Sequence, residues 1–131
     1  MPKKPETIKV VVVNPGKAPE TKIIPNTLEA LQECVGGFIE LLYPWEDDTS
    51  ACMYCNEEGK FNGMEWNRAL YDESGDVYEI IAGPFIIVGV TDYDEYNHSL
   101  TEKQIKHYTE MYSHPEVFYR IADNDIKVLK I

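Results

Sequence analysis

The apolar residues of this chain come in runs that are no longer than a β-strand. Residues 8–13 are almost all β-branched and predict a buried, central strand, and the longest apolar run, at 85–90, has a similar length. Neither run approaches the ~18 residues that a membrane-spanning helix needs. The chain is therefore expected to fold around a β-sheet and to have no contact with a membrane.

The N-terminal third of the chain predicts a hairpin followed by a helix. The Asn-Pro-Gly sequence at 14–16 is a turn signal between the first strand and a second at 21–24, which ends before Pro25. Asn26 is expected to cap the helix, and the glycine pair at 36–37 is expected to end it.

Strand signals recur along the rest of the chain, at residues 38–43, 51–55, 77–82 and 85–91. Residues 60–72 are expected to form either a short helix or an irregular packed loop. Ser99 is expected to cap a second helix. Residues 114–131 predict a C-terminal hairpin with its turn at 123–125.

These elements predict one α+β domain that spans residues 1–131. Its sheet is expected to be mixed, mainly antiparallel and packed by two helices, and the opening β-β-α-β-β order resembles that of β-grasp domains in topology only. A domain of 131 residues buries enough surface for a single core without disulfides or a structural metal.

Charge is distributed unevenly along the chain. The formal net charge is −11, and the whole excess lies in residues 36–98, which carry fourteen acids against Lys60 and Arg68. Because nucleic-acid binders need the opposite sign, direct binding of nucleic acid by this segment is disfavoured. A protein partner with a basic surface is the natural complement, although an acidic surface also keeps a protein in solution without any partner.

The N-terminus and the cysteines indicate a reduced, cytoplasmic setting. The lysines of residues 1–7 lead directly into a strand, without the apolar stretch of a signal peptide. The three cysteines, Cys34, Cys52 and Cys55, are odd in number and lack the spacing of a disulfide framework. The protein is therefore expected to be cytoplasmic.

Two stretches contain residue types that bind metals. Cys52 and Cys55 have CxxC spacing, but residues i and i+3 of a strand point to opposite faces, and no second pair completes a zinc site. The acidic loop with Asp92, Asp94 and Glu95 lacks the glycine and the distal glutamate of an EF-hand, and its acids remain candidates for partner contact. We favour buried thiols and a hydrated loop over zinc, redox and calcium chemistry, and no metal or cofactor is expected.

The segment from Asn56 to Arg68 holds the other candidate site. Arg68 is the one arginine of the acidic segment, and it is expected either to anchor carboxylates of its own chain or to contact a ligand or partner with Asn56, Asn62 and Asn67. No glycine-rich phosphate loop and no nucleophile motif is present. The sequence thus leaves enzymatic activity uncertain and leans against it, and no catalytic residue is named.

Several short motifs, in a fixed order, resemble those of a known family. They lie at residues 14–17, 26–32, 35–37, 43–44, 56–60, 62–63, 67–70 and 81–89. Over residues 8–113 the chain resembles the bacterial and phage family of domain of unknown function 3846. The resemblance implies an accessory role in a phage or mobile element and supplies no activity or catalytic residue. Residues 114–131 are an extension relative to the short members.

Three functional hypotheses follow. The leading one is a protein-binding module of a phage or mobile element, with an anti-defence role as one form of it, that acts through the acidic middle segment. The second is a DNA mimic that inhibits a DNA-binding protein, which requires carboxylates spaced like phosphates over an elongated surface. The third is a small-ligand binder or enzyme that uses residues 56–68 in a concave pocket with Arg68. The oligomeric state stays unknown.

Overall fold

The computed structural model describes residues 3–122 and 125–130, which contain two helices and nine strands. In chain order these are β1 Thr7–Val13, β2 Glu20–Pro25, α1 Leu28–Val35, β3 Ile39–Leu42, β4 Ala51–Asn56, β5 Trp66–Tyr71, β6 Val77–Ala82, β7 Phe85–Gly89, α2 Glu102–Met111, β8 Glu116–Ala122 and β9 Asp125–Lys130. The α+β class and the opening β-β-α-β-β order are confirmed. Neither of the helices described is long and apolar enough to cross a membrane.

The main sheet has five strands in the order β2-β1-β7-β4-β3. β1 and β2 form the predicted hairpin. β7 comes from far along the chain, lies between β1 and β4, and pairs antiparallel with both. The expected antiparallel character is confirmed, since every strand pairing among the described residues is antiparallel.

Both faces of this sheet are buried. One face packs against α1 through an apolar cluster that includes Val10, Val35 and Ile86. The other packs against α2 and the β5–β6 hairpin through a cluster that includes Phe85 and Tyr108. Because side chains alternate between the faces of a strand, β7 needs apolar residues at successive positions, which explains its continuous apolar sequence.

Helix α1 begins one residue later than its sequence predicts. Thr27 is the N-cap, and its Oγ1 accepts a hydrogen bond from the Ala30 amide at 3.1 Å. The prediction of Asn26 was wrong because this side chain is buried and used elsewhere. Its Nδ2 donates to the carbonyls of Pro5 at 3.0 Å and Asn97 at 2.9 Å, and so it ties α1 to the loop before α2.

Helix α2 also begins later than expected. Its N-cap is Thr101, which forms a reciprocal capping box with Gln104. The predicted cap, Ser99, was wrong because its Oγ accepts a hydrogen bond from the Lys9 amide of β1 at 2.8 Å. Ser99 therefore fastens the chain to the sheet just before the helix starts.

The segment at 60–72, expected to be a short helix or a loop, contains strand β5. This strand pairs antiparallel with β6, and Gly75 closes the hairpin turn with a left-handed φ of 84°. The strand was missed because Asn67 and Arg68 are polar and yet buried at its centre. Their presence removes the apolar pattern by which a buried strand is recognised.

β8 and β9 pair as the C-terminal hairpin that residues 114–131 predict. Part of its expected turn, residues 123 and 124, lies outside the described residues. Phe118 packs edge-on against Trp66 of β5, with ring centroids 5.8 Å apart. The Glu116 carboxylate accepts hydrogen bonds from the Ala69 amide at 2.7 Å and the Tyr71 hydroxyl at 2.8 Å, both on β5, so apolar and polar contacts together fix the hairpin to β5.

Candidate functional site

A cleft of about 800 Å³ opens between the loop that follows β3 and the β5–β6 hairpin. Residues 43–47 form one wall, and residues 71–74 with Tyr78 form the other. We call this feature the acidic cleft, because each wall combines aromatic rings with two carboxylates. The acids are Glu46, Asp47, Asp72 and Glu73.

The loop wall is fixed by contacts with α2. The Trp45 ring lies 4.4 Å from the Tyr108 ring, and its Nε1 donates to the Tyr112 hydroxyl at 3.2 Å. Asp48 accepts hydrogen bonds from the Tyr108 hydroxyl at 2.7 Å and from the Ser50 hydroxyl at 2.6 Å. Burial alone would raise the pKa of Asp48, but hydrogen bonds from Ser50 and Tyr108 outweigh it and lower the pKa. An ionised carboxylate therefore fastens the loop wall to the helix.

The hairpin wall is fixed by its own turn and by β8. The Asp72 Oδ1 accepts hydrogen bonds from the amides of Ser74 at 2.9 Å and Asp76 at 3.0 Å. The Tyr71 hydroxyl donates to Glu116 Oε2 at 2.8 Å. Burial first, and then Glu116, raise the pKa of Tyr71 to about 12, so this hydroxyl stays protonated as the donor. Both walls of the cleft are thus preorganised.

Glu46 and Glu73 line opposite walls of the cleft. The hydrogen bond between their side chains, and then the repulsion of the Glu73 charge, raise the pKa of Glu46. Among the described residues, no ion pair includes an acid of the cleft. Like charges are therefore brought together here without a cation of the described chain to balance them.

A second cleft of about 420 Å³ adjoins the acidic cleft, and the two share Pro44, Trp45, Tyr71 and Tyr78. Arg68 lines this second cleft. The shared residues make the two clefts neighbours, and Trp45, which lines both, packs against Tyr108 of α2.

Arg68 lies inside the fold, with 1% of its surface exposed. Its Nη2 donates to the carbonyls of Lys17 at 2.7 Å and Tyr112 at 2.9 Å, and its Nη1 donates to the Asn67 Oδ1 at 2.9 Å. These acceptors are neutral, whereas the sequence led us to expect carboxylates as the anchor. Arg68 therefore joins β5 to the β1–β2 loop and to the end of α2, while its Nε has no hydrogen-bond partner in the described chain.

The three candidate asparagines are not gathered around Arg68 in one cleft. Asn67 is fully buried, and its Nδ2 donates to backbone carbonyls at the ends of β1 and β6. Asn56 donates to the carbonyl of the last residue of α1 at 3.1 Å. Asn62 is exposed in the turn region between β4 and β5. None of the three lines the cleft to which Arg68 belongs.

The acidic loop after β7 contains one structural acid and two exposed ones. Asp94 accepts a hydrogen bond from the Tyr96 amide at 2.9 Å and contacts the His98 Nε2 at 2.8 Å. Burial would raise the pKa of Asp94, but the hydrogen bonds from His98 and Tyr96 lower it overall. Asp92 and Glu95 of the same loop are exposed.

Cys52 and Cys55 lie on opposite faces of β4, as strand geometry requires. Cys52 belongs to the cluster beneath α1 and Cys55 to the cluster beneath α2. Burial raises the pKa of Cys52 to about 12 and that of Cys55 to about 11, which disfavours the reactive thiolate. Within the described residues, no group of three or more His, Cys, Asp or Glu side chains is arranged to hold a metal ion.

A family model matches residues 8–113, a range that includes the acidic cleft and both helices. The chain belongs to the family Domain of unknown function (DUF3846). The DUF3846 match ends before β8, so Glu116 and the C-terminal hairpin lie outside it. The comparisons found no matching curated protein and no matching solved structure.

Sequence reasoning missed the acidic cleft, because its two walls, at 43–47 and 71–74, lie more than twenty residues apart in the chain. Both segments carry a shared signal, an aromatic residue followed by two acids: Trp-Glu-Asp at 45–47 and Tyr-Asp-Glu at 71–73. Bringing them together requires the pairing of β5 with β6 and the packing of that hairpin on the sheet. Neither was predicted for this segment.

Proposed function

We propose that the protein is a small binding module, an accessory protein of a phage or mobile element, whose acidic cleft takes a basic segment of a partner protein. The observation that carries the proposal is the set of four carboxylates on the two cleft walls, which form no ion pair within the described chain. A cationic segment supplies the missing charge.

Long-range charge supports the same partner. The net charge is −11, and the acidic cleft lies within residues 36–98, which carry all of the excess. The negative electrostatic potential of this segment attracts a basic surface and repels nucleic acid, and added salt weakens both effects by screening. The hydrogen bonds that fix both walls reduce the entropy that binding would otherwise cost.

The distribution of the exposed acids favours a cleft-bound segment over a DNA mimic. Eleven of the fourteen acids of the middle segment lie on four separate loops or turns, at 46–48, 57–58, 72–76 and 92–95. A mimic requires carboxylates in a row with the spacing of backbone phosphates. A small-ligand site at 56–68 gains less support, because Asn67 and Arg68 are buried and donate to groups of their own chain.

The proposal is tested by two charge-reversal variants that alter the net charge equally. The first carries Asp47→Lys and Glu73→Lys in the cleft. The control carries Glu57→Lys and Glu58→Lys, two exposed acids of the same segment outside the acidic cleft. Each tagged variant is used to capture partners from host lysate at low salt, and proteins released by high salt are identified by mass spectrometry.

We expect the cleft variant to capture about tenfold less of a basic protein that the wild type and the control both capture and that high salt releases. Equal loss from both variants would show that binding depends on total charge alone. A partner that the cleft variant retains in full would contradict the proposed site.

A further inference from the structure

The acidic cleft presents exposed aromatic rings together with its carboxylates. Tyr43 is 61% exposed and Tyr78 is 53% exposed, although both line the cleft. Neither ring packs against another aromatic ring of the described residues. Trp45, which also lines the cleft, is buried and packs against the Tyr108 ring of α2.

The carboxylates are placed on both sides of these rings. Glu46 belongs to the wall of Tyr43, and Glu73 to the wall of Tyr78. Glu46 and Glu73 line the same cleft from its two walls, so a cationic group that enters the cleft lies between both carboxylates. A space of about 800 Å³ admits a long side chain with its flanking backbone.

A guanidinium group fits this arrangement better than an ammonium group does. It is planar, it stacks on aromatic faces, and it donates to carboxylates through two parallel hydrogen bonds. An ammonium group is more strongly hydrated and gains less from an open aromatic cleft. The combination of flat rings with a pair of carboxyl groups therefore distinguishes between the two common cationic side chains.

We infer that the acidic cleft recognises an arginine side chain of the partner's basic segment, with its guanidinium stacked on Tyr43 or Tyr78 and bonded to Glu46 and Glu73. This inference rests on the proposed function and names the group that the cleft selects. Charge alone attracts the basic segment, and the aromatic rings select arginine over lysine.

The test compares two fluorescently labelled probes, a short glycine-spaced arginine peptide and the same peptide with lysine at each arginine position. Binding of each to the full chain is measured by fluorescence anisotropy at low salt. The wild type is expected to bind the arginine peptide roughly fivefold more tightly than the lysine peptide. The double variant Tyr43→Leu, Tyr78→Leu is expected to lose most of this preference while retaining its affinity for the lysine peptide.

Tyr119→Leu is the matched control, because Tyr119 is a 45% exposed tyrosine on β8 that does not line the acidic cleft. It should keep the full preference for arginine. Equal affinity of the wild type for the two peptides would overturn the inference and leave the proposed function standing. Binding of neither peptide would overturn both.

Discussion

Arg68 connects three parts of the chain beside the second cleft. Its guanidinium crosses from β5 to the β1–β2 loop and to the C-terminal end of α2, through the carbonyls of Lys17 and Tyr112. Burial lowers the pKa of Arg68, whereas the nearby charge of Glu116 raises it. Burying a cation among neutral acceptors costs free energy, which the hydrogen bonds to the surrounding carbonyls offset. Removal of Arg68 would leave those carbonyls without donors.

Replacement of Arg68 with methionine tests this role. Arg68→Met keeps the volume but leaves buried carbonyls without donors, so we expect the free energy of unfolding to fall by about 3 kcal/mol. Urea denaturation measures the loss. Arg120→Met, at an exposed position on β8, is the control and should change stability little. Similar small effects at both positions would contradict the anchoring role of Arg68.

The effect of Glu73 on the pKa of Glu46 predicts a specific dependence on pH. Because the pKa of Glu46 is raised in the folded chain, its contribution favours folding below the ordinary glutamate pKa and is lost as pH rises through the raised value. Glu73→Gln removes the repulsion and should return the pKa of Glu46 toward its ordinary range. Carboxyl carbon NMR titration measures this pKa directly. Glu57→Gln is the control, and an unchanged Glu46 pKa in Glu73→Gln would show that Glu73 does not raise it.

At the scale of elements, strands with an uninterrupted apolar sequence were predicted correctly. β1, β4 and β7 were found because burial on both faces leaves a visible signature in sequence. β5 was not predicted, because its polar residues Asn67 and Arg68 are buried through hydrogen bonds to carbonyls that lie far away in the sequence. Helix starts were misplaced for the same reason: Asn26 and Ser99 have the right chemistry for caps, but tertiary hydrogen bonds use them first.

The cap of α2 gives a prediction at this scale. Thr101→Ala removes the side-chain acceptor of the Gln104 amide, so we expect a loss of about 1 kcal/mol in unfolding free energy. The Gln104 amide should also exchange its hydrogen faster. Ser99→Ala should leave that amide protected, because Ser99 bonds instead to β1. If the Gln104 amide exchanged faster in Ser99→Ala and not in Thr101→Ala, Ser99 would be the cap, as the sequence predicts, and the assignment of Thr101 would be wrong.

At the scale of the whole molecule, the acidic cleft exists only because distant segments converge. The loop after β3 is held by α2, and the β5–β6 hairpin is held by the sheet and by β8. Composition showed that the negative charge lies at 36–98, but only the fold shows that part of it lines one cleft with exposed tyrosines. The candidate residues named from sequence were chosen by type, and most of them hold the fold together instead of meeting at one site.

The most direct measurement is a map of amide chemical shifts on the isotopically labelled full chain during titration with the glycine-spaced arginine peptide. If the acidic cleft is the binding surface, the largest shifts will fall at residues 43–47 and 71–78, and they will diminish as salt is added. Shifts centred on residues 57–58 or 92–95, with the cleft unaffected, would contradict the account.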